Sequence, residues 1–160
     1  LSLPRESIAI LEYDAPEMNT LILHGITDLP PITWQLVELD IGIFSVNKLD
    51  WNVDGSILEI LRYRYERNVN HIIPDWNWSD MPNLIILEII DPMIVSSRND
   101  YNELSNVIEL TIMPSRDSPI PSSIYQMPSL EVLTLVQASD ITLKDLNIDR
   151  YHNVPEIITQ

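Results

Sequence analysis

In the second half of the chain, apolar residues fall in a pattern that neither a helix nor a simple alternating strand produces. The segments "MPNLIILEI" (Met81 to Ile89), "LSNVIELTI" (Leu104 to Ile112) and "MPSLEVLTL" (Met127 to Leu135) superpose without a gap at an interval of 23 residues. Each is apolar at its first, fourth, seventh and ninth positions. An amphipathic helix would add i+4 to i, i+3 and i+7, and a half-buried strand would alternate throughout. The pattern predicts a short strand preceded by a bend, used repeatedly.

Written as LxxLxL, the unit recurs at Met18-Leu21-Leu23, Leu36-Leu39-Ile41, Leu58-Leu61-Tyr63, Leu84-Leu87-Ile89, Val107-Leu110-Ile112 and Leu130-Leu133-Leu135, with a weak seventh at Val154-Ile157-Thr159. The first positions are separated by 18, 22, 26, 23, 23 and 24 residues. The fourth and sixth positions point inward from a parallel strand, and the first reaches the same core from the bend. One unit alone cannot bury its apolar face, so neighbours stack to close a continuous core. Pro119 and Pro121 in "SRDSPIPSSIYQ" predict extended or short 3₁₀ return segments rather than long helices. "SIAILEY", Ser7 to Tyr13, reads as a capping strand. "RNVNHIIPDWNWSD", Arg67 to Asp80, reads as a bulged loop whose Trp76 and Trp78 plug a widened core. The chain is therefore expected to be a single domain over 1–160, with a cap at 1–14 and units starting near 15, 33, 55, 81, 104, 127 and weakly 151.

Composition narrows the classes. In a chain of 160 residues, 45% hydrophobic content suffices for a core, and twelve prolines against three glycines nearly exclude glycine-dependent devices. A formal charge of -15, from nine basic and twenty-four acidic residues, repels nucleic acid and anionic membranes and suits either solubility or a basic partner. The lack of cysteine excludes disulfides and thiolate chemistry and fits a reducing compartment, so a cytoplasmic location is expected, with secretion left open. No apolar run reaches the ~20 residues of a membrane span. "LSLPRESIAI" has neither a basic n-region nor an initiator Met, as in a mature chain or an excised fragment. Asn77 to Ser79, "NWS", is a glycosylation sequon for a secreted chain.

On these repeats the chain resembles the leucine-rich repeat superfamily over roughly Ala15 to Leu146, most strongly from Met81 to Leu135. "IPSSIYQMPSLEVLTL", Ile120 to Leu135, is similar to the irregular repeats of plant intracellular immune receptors. The resemblance implies an α/β-type solenoid, a curved right-handed stack with a parallel sheet on its concave side and mostly irregular or 3₁₀ convex segments. It also implies a protein-binding module engaged in ligand sensing or autoinhibition. The ninth position, where the family prefers Asn or Cys, holds Ile26, Phe44, Glu66, Pro92, Ser115 and Ala138. The turns after the strands are then left to water, to Ser115 or to backbone contacts.

Catalytic signatures are absent: no phosphate-cradling loop, dinucleotide fingerprint, GxSxG or HExxH is present. His24, His71 and His152 fall in different units without ligand spacing. "DWNWSD" offers Asp75, Asn77 and Asp80 as oxygen ligands but lacks the glycine and terminal Glu of a calcium loop. No enzyme activity, metal or cofactor is expected.

The outward face of the sheet carries what remains. Its third positions are Thr20, Glu38, Ile60, Ile86, Glu109 and Val132; its fifth are Ile22, Asp40, Arg62, Glu88, Thr111 and Thr134; its seventh are His24, Gly42, Arg64, Ile90, Met113 and Val136. Asp40, Arg62 and Glu88 align for a cross-strand charge ladder, which serves structure as readily as recognition. "RYRYERN", Arg62 to Asn68, reads as an Arg-carboxylate network with a stacked tyrosine, Tyr63 or Tyr65, rather than a phosphate site. The second half is apolar at Ile85, Ile86, Ile108 and Val132 and rimmed by Glu88, Glu109 and Glu131, the anatomy of an interaction site. A flanking segment or a second copy covering the patch is the competing explanation. The expected partner site comprises Arg62, Arg64, Ile86, Glu88, Ile90, Glu109, Thr111, Met113, Val132 and Thr134, and the expected partner is a protein that is basic or brings an apolar anchor. Two other readings fit the same residues: the substrate-recognition domain of a multidomain enzyme such as a ubiquitin ligase, and a structural or designed scaffold.

Overall fold

The computed structural model describes residues 2–3, 19–26, 35–43, 55–65, 76–115, 119–138 and 146–160. Outside them lie the capping strand expected over Ser7 to Tyr13, the first position Met18, the ninth positions Phe44 and Glu66, His71, and residues 67–75 of the long loop. The chain forms two compact units, Leu1–Asn83 and Leu84–Gln160.

In the first unit β1 (Ser2–Leu3), β2 (Thr20–Ile26), β3 (Glu38–Ile43) and β4 (Ile60–Tyr65) pair in chain order, all parallel. The register sets Leu21, Leu39 and Leu61 in one row and Leu23, Ile41 and Tyr63 in the next. None of these six is more than 1% exposed, and Leu36 and Leu58 join them from the bends. Full burial of a Leu or Ile side chain contributes about 1.5–3 kcal/mol, so these rows dominate the unit's stability. Where β4 brings Tyr63 instead of a leucine, the core widens: Trp76 packs edge-on against Tyr63 at 5.2 Å, and Trp78 lies 5.4 Å from Trp76. Both tryptophans are buried. A 3₁₀ turn, Trp78–Asp80, follows, with the Asn77 side chain accepting the Ser79 N–H at 3.3 Å.

Two glycines act through geometry. Gly25 has φ of 68° where the β2–β3 register slips between His24 and Ile26, so it is the extra residue of a bulge in a conformation that side chains resist. At Gly55 a Cβ would sit 2.7 Å from Met81 Cγ and 2.8 Å from the Asp80 carbonyl oxygen, so its absence admits the turn.

In the second unit β5 (Ile86–Ile90), β6 (Glu109–Ile112), β7 (Val132–Leu135) and β8 (Glu156–Thr159) again pair in parallel and in order. Leu87, Leu110 and Leu133 form one core row and Ile89, Ile112 and Leu135 another, all fully buried. Their continuations on β8, Ile157 and Thr159, are more open. Return segments include 3₁₀ turns at Tyr101–Glu103, Ser122–Gln126 and Ile148–Arg150.

They also include a short helix, α1 (Pro92–Ser97), among return segments expected from sequence to be mostly irregular or 3₁₀. Asp91 Oδ1 accepts the N–H groups of Met93 and Ile94 at 2.8 and 3.3 Å, and Pro92 supplies the fixed φ of a first helical residue. Ile94 and Val95 anchor the turn in the core.

Backbone bonds stand in for the missing asparagines after the strands: Met113 N–H reaches the Ile89 carbonyl at 3.1 Å, Val136 the Ile112 carbonyl at 2.9 Å, and Gln160 the Leu135 carbonyl at 3.0 Å. A side-chain ladder exists instead before the strands, one residue ahead of the first apolar position. Asn83 donates to the Ser56 carbonyl at 2.7 Å, Ser129 to that of Ser105 at 2.6 Å, and Asn153 to that of Pro128 at 2.6 Å. No helix among the described residues is long and apolar enough to cross a membrane.

Candidate partner-binding face

Alternation along each strand turns the third, fifth and seventh positions away from the core. On β2 to β4 these side chains hold one another. Arg62 pairs with Glu38, which also accepts from the Thr20 hydroxyl at 3.4 Å. Arg64 pairs with Asp40 at 3.1 Å, and His24 Nε2 lies 3.1 Å from the same carboxylate. Asp40 is only 8% exposed, so these contacts compensate a desolvated charge.

The register sets Asp40 opposite Arg62, as the expected ladder of Asp40, Arg62 and Glu88 requires, and diagonal ion pairs add to it within the first unit. Each arginine leans two residues back along the neighbouring strand: Arg62 stands opposite Asp40 but reaches Glu38, and Arg64 stands opposite Gly42 but reaches Asp40. A guanidinium is long enough for the diagonal neighbour, and Gly42 offers Arg64 nothing closer. Glu88 belongs to the second unit, opposite Thr111. Of the residues expected to bind a partner, Arg62 and Arg64 are thus committed within the first unit.

The other eight gather on the second unit. One row runs Ile86, Glu109, Val132 and Glu156; the next runs Glu88, Thr111, Thr134 and Ile158; Ile90 and Met113 lie beyond. Ile86, Ile90, Met113 and Val132 are half-buried, Ile85 and Ile158 are exposed, and Glu109, Glu131 and Glu156 are exposed without an ion pair among the described residues. No described strand of this unit carries a basic residue. Thr134 is 8% exposed. Beside the first row, toward the N-terminal ends of the strands, lies a groove of about 510 Å³ lined by Ile108, Leu130, Glu131, Asn153 and Val154 among others.

Glu156, Ile158 and Val154 were not singled out as site residues from sequence, although Glu156 and Ile158 occupy the same outward positions in the weak seventh unit. Val154, a first position like the buried Leu84 and Leu130, is 67% exposed. The one signal for them was the repeat register itself, extended one unit further.

The remaining polar groups serve structure. Burial pushes the phenols of Tyr101 and Tyr151 well above their usual range, so both stay neutral. Arg98, beside a second groove lined by Ile120, Tyr125 and Arg150, is held by Asp100 at 3.0 Å. Among the described residues no group of three acidic or histidine side chains is placed to hold a metal ion; Asp75 of "DWNWSD" lies outside them.

No protein-family model matches the chain, and no curated protein or solved structure matches it. Function is therefore argued from the repeats and the face they create.

Proposed function

We propose that the chain is a leucine-rich-repeat-type solenoid that works without catalysis as a protein-interaction module, binding its partner on the outward face of β5 to β8. One observation carries this reading: on the same register positions, the first unit's charges pair with each other, while the second unit leaves aliphatic side chains half-open beside Glu109 and Glu156, which have no ion pair among the described residues. Apolar patches rimmed by charge are where proteins dock, and their energy concentrates in a few desolvated residues. Sensing or autoinhibition in a cytoplasmic receptor of the plant immune type is the finer part of the proposal and rests on the resemblance of Ile120 to Leu135.

The test is an affinity capture with the immobilised chain. Ile86→Glu should abolish recovery of the partner while leaving the unfolding midpoint unchanged, and Arg62→Ala should leave recovery intact. Capture that survives Ile86→Glu but is lost with Trp76→Ala would move the site to the loop around the tryptophans.

A further inference from the structure

We infer that the partner presents a basic, extended segment in the polyproline II conformation, with Lys or Arg at every third residue, laid across β6 to β8. The inference rests on the reading that this face binds protein, and it adds the chemistry and spacing of what is bound.

Charge comes first. Glu109 and Glu156 stand exposed in one row with Val132 between them, and Glu131 lines the adjoining groove. None has an ion pair among the described residues, in a chain whose formal charge is -15. An acidic or neutral partner would bury these carboxylates uncompensated, whereas a Lys or Arg would meet each with a charge-assisted hydrogen bond.

Spacing selects the conformation. Two strands apart is about 9.6 Å at the usual interstrand distance. A polyproline II segment returns to the same face every three residues, about 9.3 Å at 3.1 Å per residue. A fully extended β-strand presents one face at about 6.8 Å and has turned its side chain away at the third residue. An α-helix comes back at about 6 and 10.5 Å and is about 10 Å wide, too broad for the row. Basic residues at i and i+3 therefore meet Glu109 and Glu156.

The surface between the acids supplies the rest. An intervening apolar residue lies over half-buried Val132, and its neighbour enters the groove between Ile108 and Val154, with Glu131 on the wall. Polyproline II leaves its own N–H and C=O groups unbonded. Thr111, half-buried in the next row, offers a hydroxyl to one of them.

A phage-displayed library of random 12-residue peptides, selected on the full chain and counter-selected on an Ile86→Glu, Val132→Glu double variant, tests the inference and the reading separately. Circular dichroism must first show that the double variant is folded; otherwise the milder pair Ile86→Ser, Val132→Ser takes its place. The expected outcome is face-dependent peptides enriched in Lys or Arg at i and i+3. A synthetic peptide of that consensus should bind at least ten-fold more weakly to Glu109→Gln, Glu156→Gln, and five-fold or more weakly when its basic residues are respaced to every second position. Face-dependent peptides without the triplet spacing, or equal affinity for respaced peptides, would overturn the inference and leave the interaction module standing. Peptides that do not distinguish the chain from the face variant would overturn both. So would a dimer of the chain that dissolves on Ile86→Glu, because a second copy would then occupy the face.

Discussion

On β2 to β4 the outward charges are held in place: Glu38 by Arg62, Asp40 by Arg64 and His24. On β5 to β8, at equivalent positions of the same register, Glu109 and Glu156 have no ion pair among the described residues and share their row with Ile86 and Val132. The inner rows of the two units are nearly identical, so the backbone does not account for the contrast. It lies in three basic or titratable residues, His24, Arg62 and Arg64, that one unit's strands possess and the other's lack. A face whose charges are satisfied gains little from a partner; one with exposed aliphatic groups and uncompensated acids gains from covering both.

The largest effects should appear in the cores, Trp76 testing the widened core of the first unit and the leucines the rows that the units share. Trp76→Ala should cost about 3–5 kcal/mol, and Leu39→Ala and Leu110→Ala about 2–5 kcal/mol each, measured by denaturant unfolding. A neutral Leu110→Ala would show that the inner rows are not equivalent and remove the basis of the comparison.

Smaller effects should separate the outward faces. Arg64→Ala removes a cationic partner from the buried Asp40 carboxylate and should cost about 1–3 kcal/mol, whereas Glu109→Ala should change stability by less than about 0.5 kcal/mol. Equal costs would erase the distinction between a committed face and an open one. A double-mutant cycle between Arg62 and Glu38 should return a coupling of about 0.5–1 kcal/mol, since both side chains are about a quarter exposed, at 26% and 27%. Coupling near zero would mean that Arg62 is available after all and belongs with the partner-binding residues. Last, Asn83→Ala in one unit and Asn153→Ala in the other should each cost about 0.5–1.5 kcal/mol, because the ladder ahead of the strands is shared.

That ladder shows where reading the sequence stopped short. The ninth position lacks Asn, but "MPN", "MPS" and "YHN" each end in a donor at a fixed distance from the strand. The donors are spaced as regularly as the leucines, so the period itself was the signal. Helix α1 was legible in the same way, since Asp91-Pro92 is a cap followed by a first helical residue.

By itself the sequence determined which residues share a row: the interval between LxxLxL units sets Leu21 with Leu39 and Leu61, and Leu87 with Leu110 and Leu133. It did so because burial of one face is a property of each short segment, repeated, and slipping one residue would turn every leucine outward. Only the tertiary structure decided that Arg62 reaches Glu38 and Arg64 reaches Asp40, and that Trp76 and Trp78 pack beside Tyr63. Those outcomes depend on diagonal neighbours and on the room they leave, as Gly42 does for Arg64, and so on the sizes of side chains far apart in the chain.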